Sequence, residues 1–168
     1  GKARYGVMLR EDGYMFDDGT SWRLSQTQFL MTTTTANATG VLSEMERLLT
    51  LVWPDLKVHV SSVSDQWAGM AVAGPKSRET LSKIITDVDF SEEGLPFMGV
   101  TDGSIGDIPV KVARLSFSGE RAYEVYTPTH FGTSIWEAII KAGEPFDITP
   151  YGTEALGTLR IEKGHISG

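Results

Sequence analysis

The apolar residues of this chain change their period in short batches, and that pattern limits the fold more than any other feature. Period-two and β-branched runs read as strands over 4–10, 14–16, 21–24 and 28–35, the last with four consecutive threonines. Asp12-Gly13 supplies the hairpin turn between the first two. A 3.6-residue period then takes over. Val41, Leu42, Met45, Leu48, Leu49, Val52 and Trp53 share one helical face, with Asn37 or Thr39 as cap and Pro54 as stop. Residues 57–63 and 67–72 read as a strand pair, Gly74-Pro75 opens a short helix carrying Leu81, Ile84 and Ile85, and 87–106 reads mostly as loop. Strands at 108–116 and 122–126 flank the Ser118-Gly119-Glu120 turn, and helices follow at 131–142 and 152–163, the last stopped by Gly164. Batches of this kind, in place of strict βα alternation, predict an α+β fold with mixed or antiparallel sheets and flanking helices.

A length of 168 residues fits one domain or two small ones. The formal net charge of −7, with lysines and arginines scattered, leaves no basic stripe for nucleic acid. No apolar run is long enough for a bilayer span, so no membrane partner is expected. The opening residues carry no leader pattern, and cysteine is absent, which fits a reducing, cytoplasmic setting and rules out thiolate chemistry. His59, His130 and His165 have no ligand spacing, so no metal site is expected. Gly99, Gly103 and Gly106 read as loop glycines, and the Asn37-Ala38-Thr39 sequon reads as chance.

Two carboxylate positions stand out. Asp17 and Asp18 follow a strand, where adjacent side chains point to opposite faces, so one is expected to turn inward. An inward carboxylate needs a ligand or hydrogen bonds; the plainer reading is a turn capped by two acids. Glu124 lies inside the Ala122-Tyr123-Glu124-Val125-Tyr126 run. It reads either as the exposed member of an alternating strand or as an acceptor of two parallel N–H bonds from a planar heterocycle.

Phe117-Ser118-Gly119-Glu120-Arg121-Ala122-Tyr123-Glu124-Val125 resembles the aromatic-Thr-Gly-Glu-x-Gly-Tyr-Glu-Ile signature of the glycine-cleavage T-protein (aminomethyltransferase) family. Leu159-Arg160-Ile161-Glu162-Lys163-Gly164, Gly13-Tyr14-Met15-Phe16-Asp17-Asp18 and Ala71-Val72-Ala73-Gly74-Pro75 are similar to three further family motifs, in the family's order. Phe29–Thr35, Trp53–Val58 and Thr149–Glu154 are most similar to the folate-binding region of sarcosine oxidase α subunits.

The resemblance implies a partial folate-binding fold over residues 1–168, with the N-terminal part of that domain and a C-terminal β domain lying outside the stretch. It implies an enzyme module in which tetrahydrofolate accepts the one-carbon unit of sarcosine demethylation, arriving as imine or formaldehyde, to give 5,10-methylenetetrahydrofolate. FAD, FMN and NAD would serve elsewhere in the parent, other subunits of a hetero-oligomeric oxidase would be its partners, and the stretch alone is expected to be inactive. By the same resemblance, Asp18 is the catalytic candidate, with Asp17 the alternative. Glu124 would grip the pterin, Phe117 would stack where the family has Tyr, Tyr5 would flank the ring, and Thr32 and Thr34 would line the cavity. Leu156 stands where T-proteins carry Arg, which counts against a lipoyl-carrier aminomethyltransferase. The other relative of the same fold is a non-enzymatic folate binder of iron–sulfur assembly, against which the presence of both Asp18 and Glu124 argues.

Overall fold

Strand β1 (Lys2–Leu9) neighbours β2 (Met15–Arg23), and β2 pairs antiparallel with the short β3 (Phe29–Met31). The turn is closed as its residues dictate: Gly13 takes φ +84°, the Tyr14 N–H donates to Asp12 Oδ1 at 3.0 Å, and the Arg10 N–H donates to the Tyr14 carbonyl at 2.8 Å. This computed structural model describes residues 1–166, in two units: Arg4–Asp65, and Gly1–Ala3 together with the chain from Gln66 onward.

In the first unit, the four threonines do not extend β3. Thr32 is diverted into bonds with Thr20, and Thr35 already starts the 3-10 turn Thr35–Asn37. Helix α1 (Ala38–Arg47) runs into a π turn, Leu48–Val52, and stops before Pro54. Asn37 sits at the N-cap but makes no capping bond, because its amide donates to the Phe16 carbonyl at 3.0 Å instead. The strand expected over 57–63 is irregular: nearly all of it is exposed, Val58 included, and no strand pairs with it among the described residues, so its alternating valines find nothing to bury against.

The second unit is built on a sheet of order β4-β7-β6-β5, with β4 (Trp67–Ala73), β5 (Val100–Ile105), β6 (Ile108–Ala113) and β7 (Ala122–Pro128), every pairing antiparallel. Strand β4 therefore pairs with β7, and β5 corrects the reading of 87–106 as loop. Glycine masked β5 because its Gly103 serves close packing: a Cβ there would come within 2.6 Å of Val88 Cγ2. Helices α2 (Ser77–Ser82) and α3 (Gly132–Gly143) bring Leu81, Ile135 and Ile139 against Val72, Val110, Val112, Tyr123 and Val125, and Ile85, in the turn after α2, joins the same core. Helix α4 (Thr153–Lys163) ends at Gly164, which takes the left-handed φ of +82°.

Ile135 is fully buried, whereas Glu137 on the same helix is exposed. Ile135→Ala is expected to cost about 2–5 kcal/mol, and Glu137→Ala to stay within about 0.5 kcal/mol. Urea unfolding monitored by circular dichroism checks both.

Candidate functional site

In the hairpin unit, alternation along β2 sends Asp17 inward, at 1% exposure, and leaves Asp18 half-buried. Asp17 Oδ1 accepts the backbone N–H of Asp18 at 2.8 Å and that of Thr34 at 3.4 Å. Its Oδ2 has no hydrogen-bond partner although it is buried. Gly19, two residues after Asp17, lies under the backbone of Thr32, and any Cβ there would collide with the Thr32 carbonyl. That close approach lets the Thr20 N–H donate to Thr32 Oγ1 at 3.0 Å, while Trp22 Nε1 donates to Thr20 Oγ1 at 2.8 Å.

Across the hairpin, the Tyr5 hydroxyl donates to Asp18 Oδ2 at 2.8 Å. Burial of the hydroxyl, then the hydrogen bond to Asp18 and that group's charge, push the phenol up to about 12. Tyr5 is thus a protonated donor throughout the neutral range, even though half of its surface is exposed. Of the expected residues in this unit, Tyr5 meets Asp18, Asp17 meets the Thr34 backbone, and Thr32 meets Thr20; the Thr34 side chain is exposed.

In the sheet unit, Tyr123, Val125 and Thr127 of β7 are buried, so Glu124 and Tyr126 occupy the opposite face of the strand. Glu124 lies between Ala71 of β4 and Ala113 of β6, two side chains that reach no further than a methyl. Burial pushes its carboxyl above the ordinary range, and a hydrogen bond from the Tyr126 hydroxyl to Oε2, 3.1 Å, opposes the rise. Tyr126 is itself raised, mainly by burial and then by the charge of Glu124, and so remains a donor. Its ring lies over Gly69, where a Cβ would come within 2.9 Å of Cε1. Tyr126 is the residue sequence reasoning passed over; its period-two spacing from Glu124 was the available signal. Phe117 is 38% exposed on the Ser116–Glu120 turn, and its carbonyl accepts from Nδ1 of His165 at 3.0 Å.

Asp17→Ala would strand two N–H donors and is expected to cost about 1–3 kcal/mol. Asp17→Asn keeps the Oδ1 acceptor and removes the charge, and is expected within about 1 kcal/mol of the parent. Thermal unfolding of the two variants side by side is the check.

The whole chain, residues 1–168, matches the GCVT N-terminal domain family. It is 50% identical over 169 residues to the sarcosine oxidase subunit alpha of Rhizobium meliloti (strain 1021), covering 99% of this chain and 17% of that protein. It is 31% identical over 164 residues to an aminomethyltransferase of Streptomyces coelicolor, covering 98% of this chain and 42% of the relative. The chain thus spans less than half the length of either relative. The crystal structure of glycine cleavage system aminomethyltransferase T from Bartonella henselae shares the fold, with a TM-score of 0.81 at 21% identity over 99% of this chain and 42% of that one. The α+β expectation, with antiparallel sheets and flanking helices, therefore holds, and the chain belongs to the GCVT N-terminal domain family.

Proposed function

We propose that this chain is the tetrahydrofolate-binding, one-carbon-transfer module of a sarcosine oxidase α-subunit-like enzyme. The observation that carries the reading is Glu124, a half-buried, desolvated carboxylate flanked by Ala71 and Ala113, with Tyr126 its only hydrogen-bond partner among the described residues. A carboxylate so placed lacks the N–H donors that would favour its ionised form, and the 2-amino and N3 groups of a pterin supply two in parallel. The higher identity to the oxidase subunit than to the aminomethyltransferase, with Leu156 in place of an arginine, favours the oxidase class.

Tetrahydrofolate supplies the two nitrogens that take up the one-carbon unit released by sarcosine demethylation. Asp18 is the catalytic group: a carboxylate held by the Tyr5 hydroxyl orients N10 and stabilises positive charge developing beside it. Asp17 keeps Asp18 in place through the bond to its backbone N–H. Phe117 offers an aromatic face for stacking, and Thr32 and Thr34 are the further folate contacts in this reading.

In the full-length protein, Asp18→Asn is expected to leave sarcosine oxidation intact while the product shifts from 5,10-methylenetetrahydrofolate to free formaldehyde. Methylenetetrahydrofolate formation at the parental rate would refute the role. Glu124→Ala is expected to weaken tetrahydrofolate binding by about 1.5–3 kcal/mol. The ionised form of Glu124 is the one that accepts donors, and its pKa is raised in the free protein. Affinity in the parent should therefore fall as pH drops through that raised value, and Glu124→Gln should lose this acid limb. Calorimetric titration at several pH values measures both effects.

A further inference from the structure

Among the described residues, no cation pairs with Glu124. Its cross-strand neighbours are Ala71 on β4 and Ala113 on β6, and the next row on that face holds Gly69, Tyr126 and Lys111. Lys111 is drawn the other way: its ammonium pairs with Asp102 of β5 at 2.6 Å and lies 5.9 Å from the centre of the Trp67 ring. At the N-terminal end of β7, Ala122 borders a recess that Arg121, Lys163 and His165 also line. These cations stand around the strand without neutralising its carboxylate.

The donor that Glu124 does receive is the Tyr126 hydroxyl, 3.1 Å from Oε2. The strand is shaped to hold it there. Residues two apart on a strand share a face, about 7 Å between their α-carbons. The Tyr126 ring lies on Gly69, where a Cβ would come within 2.9 Å of Cε1. Glycine inside a strand costs stability, and here its bare surface seats the ring. Burial keeps the phenol protonated, so it stays a donor through the neutral range. A neutral donor also acts on a carboxylate differently from a cation. A lysine or arginine would take up the charge in an ion pair that an incoming ligand has to break. A hydroxyl occupies one of about four lone-pair sites and leaves the charge in place.

We infer that Tyr126 is a positioning residue for Glu124: its hydroxyl fixes the side chain through Oε2 and leaves Oε1 for the donor groups of the ligand. The inference rests on the folate reading above. Oε1 keeps both lone pairs and Oε2 one, enough for two parallel N–H bonds. The same hydrogen bond favours the ionised carboxylate, against the burial that opposes it. Tyr126 therefore sets the pH above which the site accepts donors. Without the hydroxyl the carboxyl rises further, and the loss of affinity on acidification begins at a higher pH.

The test is calorimetric titration of the full-length protein with tetrahydrofolate across a pH series, for the parent, Tyr126→Phe, Glu124→Gln and the double variant. Tyr126→Phe keeps the ring on Gly69 and removes only the hydroxyl; thermal unfolding verifies that it is folded. Histidine changes charge in the acid range too, so the limb scored is the one that Glu124→Gln abolishes. In Tyr126→Phe that limb is expected to move up by about one pH unit, which makes binding about tenfold weaker on the limb and leaves the high-pH plateau little changed. In the Glu124→Gln background, removing the hydroxyl should move nothing. A merely structural role would lower affinity by the same factor at every pH and in both backgrounds. That result, a limb unmoved in Tyr126→Phe, or a parent affinity flat with pH would overturn the inference while tetrahydrofolate binding itself stands. A parent that binds no tetrahydrofolate at any pH would remove both.

Discussion

Strand β7 is hydrogen-bonded on both edges, to β4 and to β6, and the sheet unit is arranged around that double pairing. Its core face carries Tyr123 and Val125, both fully buried, and Thr127, whose hydroxyl is satisfied by the Pro109 carbonyl at 3.1 Å. A register slip of one residue would drive Glu124 into that apolar cluster and expose the other three. The same packing that stabilises the sheet therefore fixes which face presents the carboxylate. Phe90 adds to this by meeting Tyr123 edge-on at 5.3 Å between ring centres.

The hairpin unit relies on different physics. It buries few large apolar side chains, Trp22 and Val41 chief among them, and orders its acidic pair through polar contacts. Gly19 is the pivot, since only a residue without a side chain lets the Thr32 backbone close on β2. From that contact follow the Thr20–Thr32 and Trp22–Thr20 bonds, which brace the strand just beyond Asp18. A chain of neutral hydrogen bonds of this kind holds geometry without adding charge beside the carboxylates.

Much of this was legible from local pattern. The Asp12-Gly13 turn, the apolar face of α3 and the opposed faces of Asp17 and Asp18 follow from turn chemistry and periodicity alone. Misreadings came where tertiary contacts outcompeted propensity. Thr32–Thr35 have branched side chains suited to a strand, but the Thr32 hydroxyl is taken by Thr20, that of Thr33 by the Thr34 carbonyl, and Thr35 enters a 3-10 turn. Gly103 hides a strand because its missing side chain is filled by Val88 and Ile85, neighbours no local window contains. For the site, alternation left Glu124 undecided between surface and pocket; the methyl-sized neighbours on both sides of it come from strands 53 and 11 residues away in sequence. Likewise, the gathering of Arg78, Arg114 and Arg121 on Glu92 joins segments that appear as scattered charges in the sequence.

Strand β4 forms one edge of its sheet, and its composition is unusual for that place: between Trp67 and Ala73 it holds three alanines besides one glycine, one methionine and one valine. An edge offers a free ladder of peptide groups to any passing chain, and long branched side chains make such ladders self-templating. Alanine and glycine are poor strand formers and give an incoming segment little to grip. The small residues that make room beside Glu124 and under Tyr126 thus also blunt the edge against amyloid-like growth, so a change to valine or isoleucine there would trade colloidal safety for local strand stability.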